Sequence, residues 1–177
     1  MVFDHTHTFP SLLAKTLIFG VVTVGIADKK NSKGKYEKDR KISFVQIPLN
    51  LTRLYVIERD DKILFLPIEQ IIQHYLQVLY RNVEIESTTL FRITRNGDFD
   101  VVEHEDTETD FVDEVKKKIK DRRLGRVTRV EVEQHHSDFL LGEMLKRWNL
   151  EKSDIFVKKA MLDFTAFWQI LKHPEFK

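Results

Sequence analysis

Ten consecutive residues, Leu17 to Ile26 (LIFGVVTVGI), carry no charge and are dominated by valine and isoleucine. A β-branched run that is apolar on both faces reads as a strand in the middle of a sheet, covered on both sides. It is too short to cross a bilayer as a helix, which takes about 20 residues. A chain organised around such a strand must supply enough other elements to bury two sheet faces. With 177 residues, it is long enough: a globule of this size hides roughly 70% of the surface its unfolded chain exposes. One domain is the default, and two small ones are the alternative.

The rest of the chain mixes strand and helix patterns without strict alternation. From Asp28 to Lys41 the sequence DKKNSKGKYEKDRK has seven basic and three acidic residues. Its composition predicts a solvated hairpin loop, with a basic finger for a polyanion as the other reading. Ile42–Ile47, Leu54–Ile57 and Ile63–Leu66 read as strands, with turns at Pro48 to Asn50 and at Asp60-Asp61. Pro67 suits the first position of a helix, and Ile68, Ile71, Ile72, Tyr75, Leu76 and Leu79 follow at helical spacing as a buried stripe. His74 falls off that stripe and is expected at the surface.

Val83 to Arg95 alternates as a long strand, with Val83, Ile85, Phe91 and Ile93 on one face and Glu84, Glu86, Arg92 and Thr94 on the other. Asn96-Gly97 is a strong turn signal. A short strand at Phe99–Val102 and a helix carrying Phe111, Val112, Val115 and Ile119 inward are expected next, ending at Gly125. Val127–Glu133 alternates again. Ser137 is placed to cap a helix with the stripe Phe139, Leu141, Met144, Leu145 and Trp148. A last strand at Ile155–Lys158 precedes Phe164, Phe167, Trp168 and Leu171, which read as core packing in preference to a stacking platform. The class is α+β: a mixed or antiparallel sheet of about six or seven strands with three or four helices on it.

Charge and motifs exclude several functions. There are 29 Lys plus Arg against 28 Asp plus Glu, so nothing in the global charge argues for nucleic acid or an anionic membrane. The absence of cysteine removes disulfides, thiolate nucleophiles and cysteine-ligated zinc. Neither phosphate-loop nor dinucleotide glycine motifs occur, nor does G-x-S-x-G. The clustered histidines, His5-x-His7 and His135-His136, lack the carboxylate spacing of a metal site. No catalytic or metal-ligating residue is therefore assigned. Met1 to Pro10 does not read as a signal peptide, and a cytoplasmic location is expected.

Arginines are more informative. Arg92 and Arg95 end one strand, Arg122 and Arg123 end a helix, and Arg126 and Arg129 open the next strand. Guanidinium forks bind phosphate oxygens bidentately and stay charged. If these segments converge, they form a phosphate-binding surface. The alternative is salt bridging to Glu84, Glu86, Glu131 and Glu133 on neighbouring strands.

These same residues carry a family resemblance. Phe91-Arg92-Ile93-Thr94-Arg95-Asn96 resembles the F-R-V-T-R-[ND] motif of the larger, histidine-phosphorylating bacterial polyphosphate kinases. Arg122 to Val132 (RRLGRVTRVEV) is similar to that family's R-R-x-G-x-V-x-R-L-E-V segment. His7-Thr8-Phe9-Pro10, Phe44-Val45-Gln46-Ile47-Pro48 and Phe65-Leu66-Pro67-Ile68-Glu69 match further family segments in the same order. Thr8, Leu124 and Gly97 depart from the usual residues without altering a charge.

The resemblance covers nearly the whole chain and identifies residues 1–177 as the family's middle, or head, domain. It implies a fragment, with a helical domain expected before Met1 and two catalytic domains expected after Lys177. It further implies a parent enzyme that reversibly transfers the terminal phosphate of ATP to polyphosphate through a phosphohistidine, with Mg²⁺. That parent is expected to be a cytoplasmic homo-oligomer, at most peripheral to the inner membrane. No histidine in the chain matches the family's catalytic positions. The isolated chain is thus expected to be inactive: a structural and dimerising module, binding neither ATP nor Mg²⁺ alone, whose arginines border the polyphosphate path. Its partners would be polyphosphate and the missing domains. A stand-alone polyanion or nucleic-acid binding module is the alternative reading, although basic residues interleaved with aromatics, as single strands require, are lacking.

Overall fold

The computed structural model describes residues 2–3, 12, 14–30, 36–96 and 125–176. Its strands are β1 (Val2–Phe3), β2 (Ile18–Lys30), β3 (Tyr36–Gln46), β4 (Leu54–Arg59), β5 (Lys62–Pro67), β6 (Glu84–Arg95), β7 (Val127–Glu133) and β8 (Ile155–Lys158). The helices are α1 (Ile68–Leu79), α2 (Asp138–Trp148) and the short α3 (Phe167–Leu171). Six strands form one sheet in the order β1-β3-β2-β6-β7-β8, and β4-β5 is a separate hairpin. Pairing is antiparallel except between β7 and β8, which are parallel. Parallel neighbours need a crossover, and α2 lies within the one that joins them. The expected α+β class with a mixed sheet is what the chain adopts.

The uncharged run lies at the heart of this sheet. β2 pairs with β3 on one side and β6 on the other, and Ile18, Phe19, Val21 and Val22 are fully buried. One face, with Ile18, Val22, Phe44, Phe91, Ile93, Val130 and Val132, packs against Leu140 and Met144 of α2. The other, with Phe19, Val21, Ile47 and Leu90, packs against Leu76 of α1 and Leu162. Gly20 has a packing role: a Cβ there would lie 2.3 Å from Cδ2 of Leu140.

Several details differ from the sequence expectations. The polar run after Asp28 is largely not a loop, because β2 continues to Lys30 and β3 begins at Tyr36, with Lys30 and Tyr36 paired. Main-chain pairing carries the hairpin past the end of the apolar pattern, where side-chain alternation gives no signal. Pro67 still pairs with Leu54 in the β4-β5 ladder, with ψ of 133°, so α1 starts one residue later, at Ile68. In α1 the buried line is narrower than expected: Leu76 and Glu69 are buried, whereas Tyr75 and Leu79 are exposed. The two faces assigned to β6 also change partway along it. Val22 pairs with Ser87 but Thr23 with Ile85, a bulge at Glu86. The extra residue turns Ile85 to the α1 side, opposite Phe91 and Ile93.

Ser137 caps α2 as expected, its side chain accepting from the Leu140 N–H. The centre of the buried stripe is Leu140 with Met144, while Phe139 faces outward beneath the guanidinium of Arg40, 5.1 Å from its ring centroid. Phe164, Phe167, Trp168 and Leu171 are not core. All are substantially exposed, Trp168 at 62%. Their segment reaches the interior only through Leu162 and Ala166, so the rings stack on one another, Phe164 and Phe167 with centroids 5.7 Å apart. The turn at Asn96-Gly97, the strand at Phe99–Val102 and the helix around Phe111–Ile119 lie outside the described residues.

Candidate functional site

Strand pairing decides which arginines meet. On β6 and β7, Arg92 lies opposite Glu131 and Thr94 opposite Arg129, and in the parallel ladder Phe156 of β8 lies opposite Glu131. Leu90 faces α1, so Arg92, two residues on, projects from the same side. The result is a row across three strands: Arg92, then Glu131, then Phe156, with Arg129 one repeat along β7.

Glu131 is the hinge of this row. Its Oε2 accepts from Nε of Arg92, and its Oε1 accepts from an Nη of Arg129 at 3.0 Å. The Arg129 guanidinium also stands over the Phe156 ring, 3.9 Å from its centroid, a cation–π arrangement. The Glu131 side chain is only 8% exposed, against 31% for Arg92 and 40% for Arg129. Burial pushes the Glu131 carboxyl up, but the two guanidiniums outweigh it and hold the group below the usual carboxylate range. The carboxylate therefore sits beneath two more accessible cations. In the described contacts each arginine gives it one nitrogen.

The other candidates do not join this pair. Arg95 turns to the α2 side, donating to the carbonyls of Leu12 at 3.3 Å and Gly125 at 2.6 Å, and burial lowers its pKa. It clamps the chain where β6 ends and β7 begins. Arg126 donates to the carbonyl of Asn149 at 3.2 Å. Arg122 and Arg123 lie outside the described residues. Of the four candidate arginines among the described residues, two share a carboxylate and two hold backbone.

Other polar clusters are absent from the sequence reading. Arg40 of β3 makes a two-pronged ion pair with Glu86, at 2.6 and 2.8 Å, across the strand order β3-β2-β6. Arg53 ties Glu69, in the first turn of α1, to Asp163, and so joins the hairpin, the helix and the C-terminal segment. Glu133, expected among the salt-bridge partners, accepts the Leu90 N–H at 2.6 Å instead. Sequence spacing gives no sign of these pairs, which depend on how distant elements pack. A shallow depression at the β4-β5 turn, lined by Glu58, Arg59, Asp60, Asp61, Lys62, Ile63 and Glu175, mixes both signs of charge. Among the described residues no three His, Asp or Glu side chains are grouped to hold a metal ion, so no step through Mg²⁺ is assigned to them. No described helix is long and apolar enough to cross a membrane.

The fold and this row define an α+β sheet domain that presents a guanidinium pair on one face, over a buried carboxylate. The family profile described as "Polyphosphate kinase middle domain" matches residues 1–170, and the chain belongs to that family. A polyphosphate kinase of Halalkalibacterium halodurans is 28% identical over 172 residues, covering 96% of this chain and 23% of that protein. One from Staphylococcus saprophyticus is 30% identical over 174 residues, covering 96% and 22%. The crystal structure of polyphosphate kinase from Porphyromonas gingivalis shares the fold, with a TM-score of 0.63, 13% identity, and coverage of 99% of this chain and 23% of that one. The chain thus spans under a quarter of the length of these relatives.

Proposed function

We propose that this chain is the scaffold and dimerising middle domain of a polyphosphate kinase, and that Arg92 and Arg129 border the path of the polyphosphate. The whole enzyme would pass the terminal phosphate of ATP reversibly to polyphosphate through a phosphohistidine carried by its other domains. Phosphoryl transfer is mostly positioning and charge stabilisation, and a middle domain contributes by holding the anionic chain where chemistry occurs elsewhere. The observation that carries this reading is the convergence of Arg92 and Arg129 on one face of the sheet. Guanidinium forks match phosphate oxygens geometrically. The proposed location is the cytoplasm, and the proposed partners are polyphosphate, further domains of the same polypeptide and a second copy.

A salt titration of polyphosphate binding to the purified chain, with duplex DNA as competitor, tests the arginine face. We expect an affinity that falls with salt, resists DNA, and drops about tenfold in Arg92→Ala or Arg129→Ala. Binding that ignores both substitutions would return the arginines to purely structural roles, and DNA competing equally would favour a general polyanion module. The same preparation given ATP, Mg²⁺ and polyphosphate is expected to form no longer polymer.

A further inference from the structure

We infer that Glu131 sets how tightly the arginine pair holds its anion, as a fixed counter-charge placed to keep binding weak. This rests on the reading that the Arg92–Arg129 face binds polyphosphate, and concerns a residue that the reading does not need.

Glu131 lies at the centre of the row, on a strand paired on both sides, to β6 and to β8. Its backbone is therefore fixed, and its carboxylate stays beneath the guanidiniums whether or not an anion is present. An incoming phosphate meets Arg92 and Arg129 first, because both are more exposed than the carboxylate between them. Each gives Glu131 one nitrogen, and a guanidinium has five N–H donors. Outer donors thus remain for a phosphate oxygen without removing the carboxylate, whose loss of both partners would be costly at a buried site. Two positive charges over one negative present a net single charge to the ligand. Phe156 keeps the Arg129 plane oriented independently of Glu131. The pair is consequently preorganised by the strands and the ring, while Glu131 subtracts from its attraction. A polymer that must advance through a site gains from contacts that release quickly.

The test is Glu131→Gln, which keeps the shape and an acceptor oxygen but removes the charge. Binding of long-chain polyphosphate is measured by salt titration and by stopped-flow dissociation in the 177-residue chain, with wild type and Arg92→Ala alongside and thermal unfolding as the check on folding. Expected are roughly tenfold tighter binding at low salt, slower release, and a salt slope steeper by about one ion. Equal or weaker binding by folded Glu131→Gln, with wild type still bound, would make Glu131 a brace for the arginines and overturn the inference while the polyphosphate reading stands. Absence of binding by both proteins would overturn both. Should Glu131→Gln fail to fold, Glu131→Met, of similar length and apolar, serves the same comparison.

Discussion

Glu131 and Glu133 stand two residues apart on β7, and their protons answer to different neighbours. Arg92 and Arg129 hold the Glu131 carboxyl low against the effect of burial. Burial raises that of Glu133, which has only the Leu90 N–H and the nearby histidines to oppose it. The signs are opposite. A depressed folded value contributes stability that is present above the unfolded value of about 4.3 and is lost as pH falls through the folded one. A raised folded value removes stability as pH rises through it, and the penalty is absent below about 4.3. In thermal unfolding from neutral to acid pH, Glu131→Gln is expected to melt below wild type near pH 7, with the gap closing in acid. Glu133→Gln, which retains an acceptor for Leu90, is expected to melt at or above wild type near pH 7 and to converge with it in acid. A Glu133→Gln deficit that persists at every pH would show that the charge itself matters little. Cross-strand arginine–glutamate pairing, with Glu131 among its partners, was legible in the alternating strands, but which arginine meets which glutamate was not. The particular pairs follow from the β6-β7 register, which local sequence does not encode.

Among the elements, α2 shows how a tertiary contact sets the centre of a helical stripe. Of the expected stripe, Leu141, Met144, Leu145 and Trp148 do face the core, but its centre is Leu140 and not Phe139, and Leu140 fills the opening that Gly20 leaves in the sheet. A glycine seventy-odd positions before β6 ends carries no mark of which leucine it will receive. Filling that opening is expected to be destabilising. Gly20→Ala should cost about 1–3 kcal/mol, as overpacked cores do, and Leu140→Ala about 2–5 kcal/mol. The double variant is expected to be more stable than the sum of the two losses, since removing Leu140 makes room for the new methyl. Additive losses in denaturant unfolding would place the helix elsewhere over the strand. The bulge at Glu86 is a similar case. Each half of β6 reads correctly, and only the partner strand reveals that the phase changes between them. By contrast β2, the Asp60-Asp61 hairpin turn, β7 and the Ser137 cap were readable, because each is written in a few adjacent residues.

For the whole molecule, the two tryptophans report different surroundings. Trp148 packs beside Phe91, ring centroids 6.3 Å apart, whereas Trp168 stands on the exposed aromatic surface of the C-terminal segment. Acrylamide is expected to quench mainly Trp168, and Trp168→Phe should leave a bluer, better protected emission. A Trp168→Phe protein quenched as readily as wild type would mean that the surface is covered in solution. Hydrophobicity alone led to the opposite expectation for this segment, since aromatic rings join a core only if an element brings them to it, and α3 has five residues.

The sheet order has a further consequence for how the chain reaches this state. β2 finds β3 next along the chain, but Ile18 finds Phe91 only across the β4-β5 hairpin and α1. Hairpin closure is a fast, local event, and the distant pairing is slower because a long loop must close first. Until β6 arrives, the most apolar of the described strands has one edge unpaired, an invitation to other chains. During synthesis the ribosome emits that strand well before its second partner, so between the synthesis of Lys30 and that of Glu84 this edge stays open to mispairing.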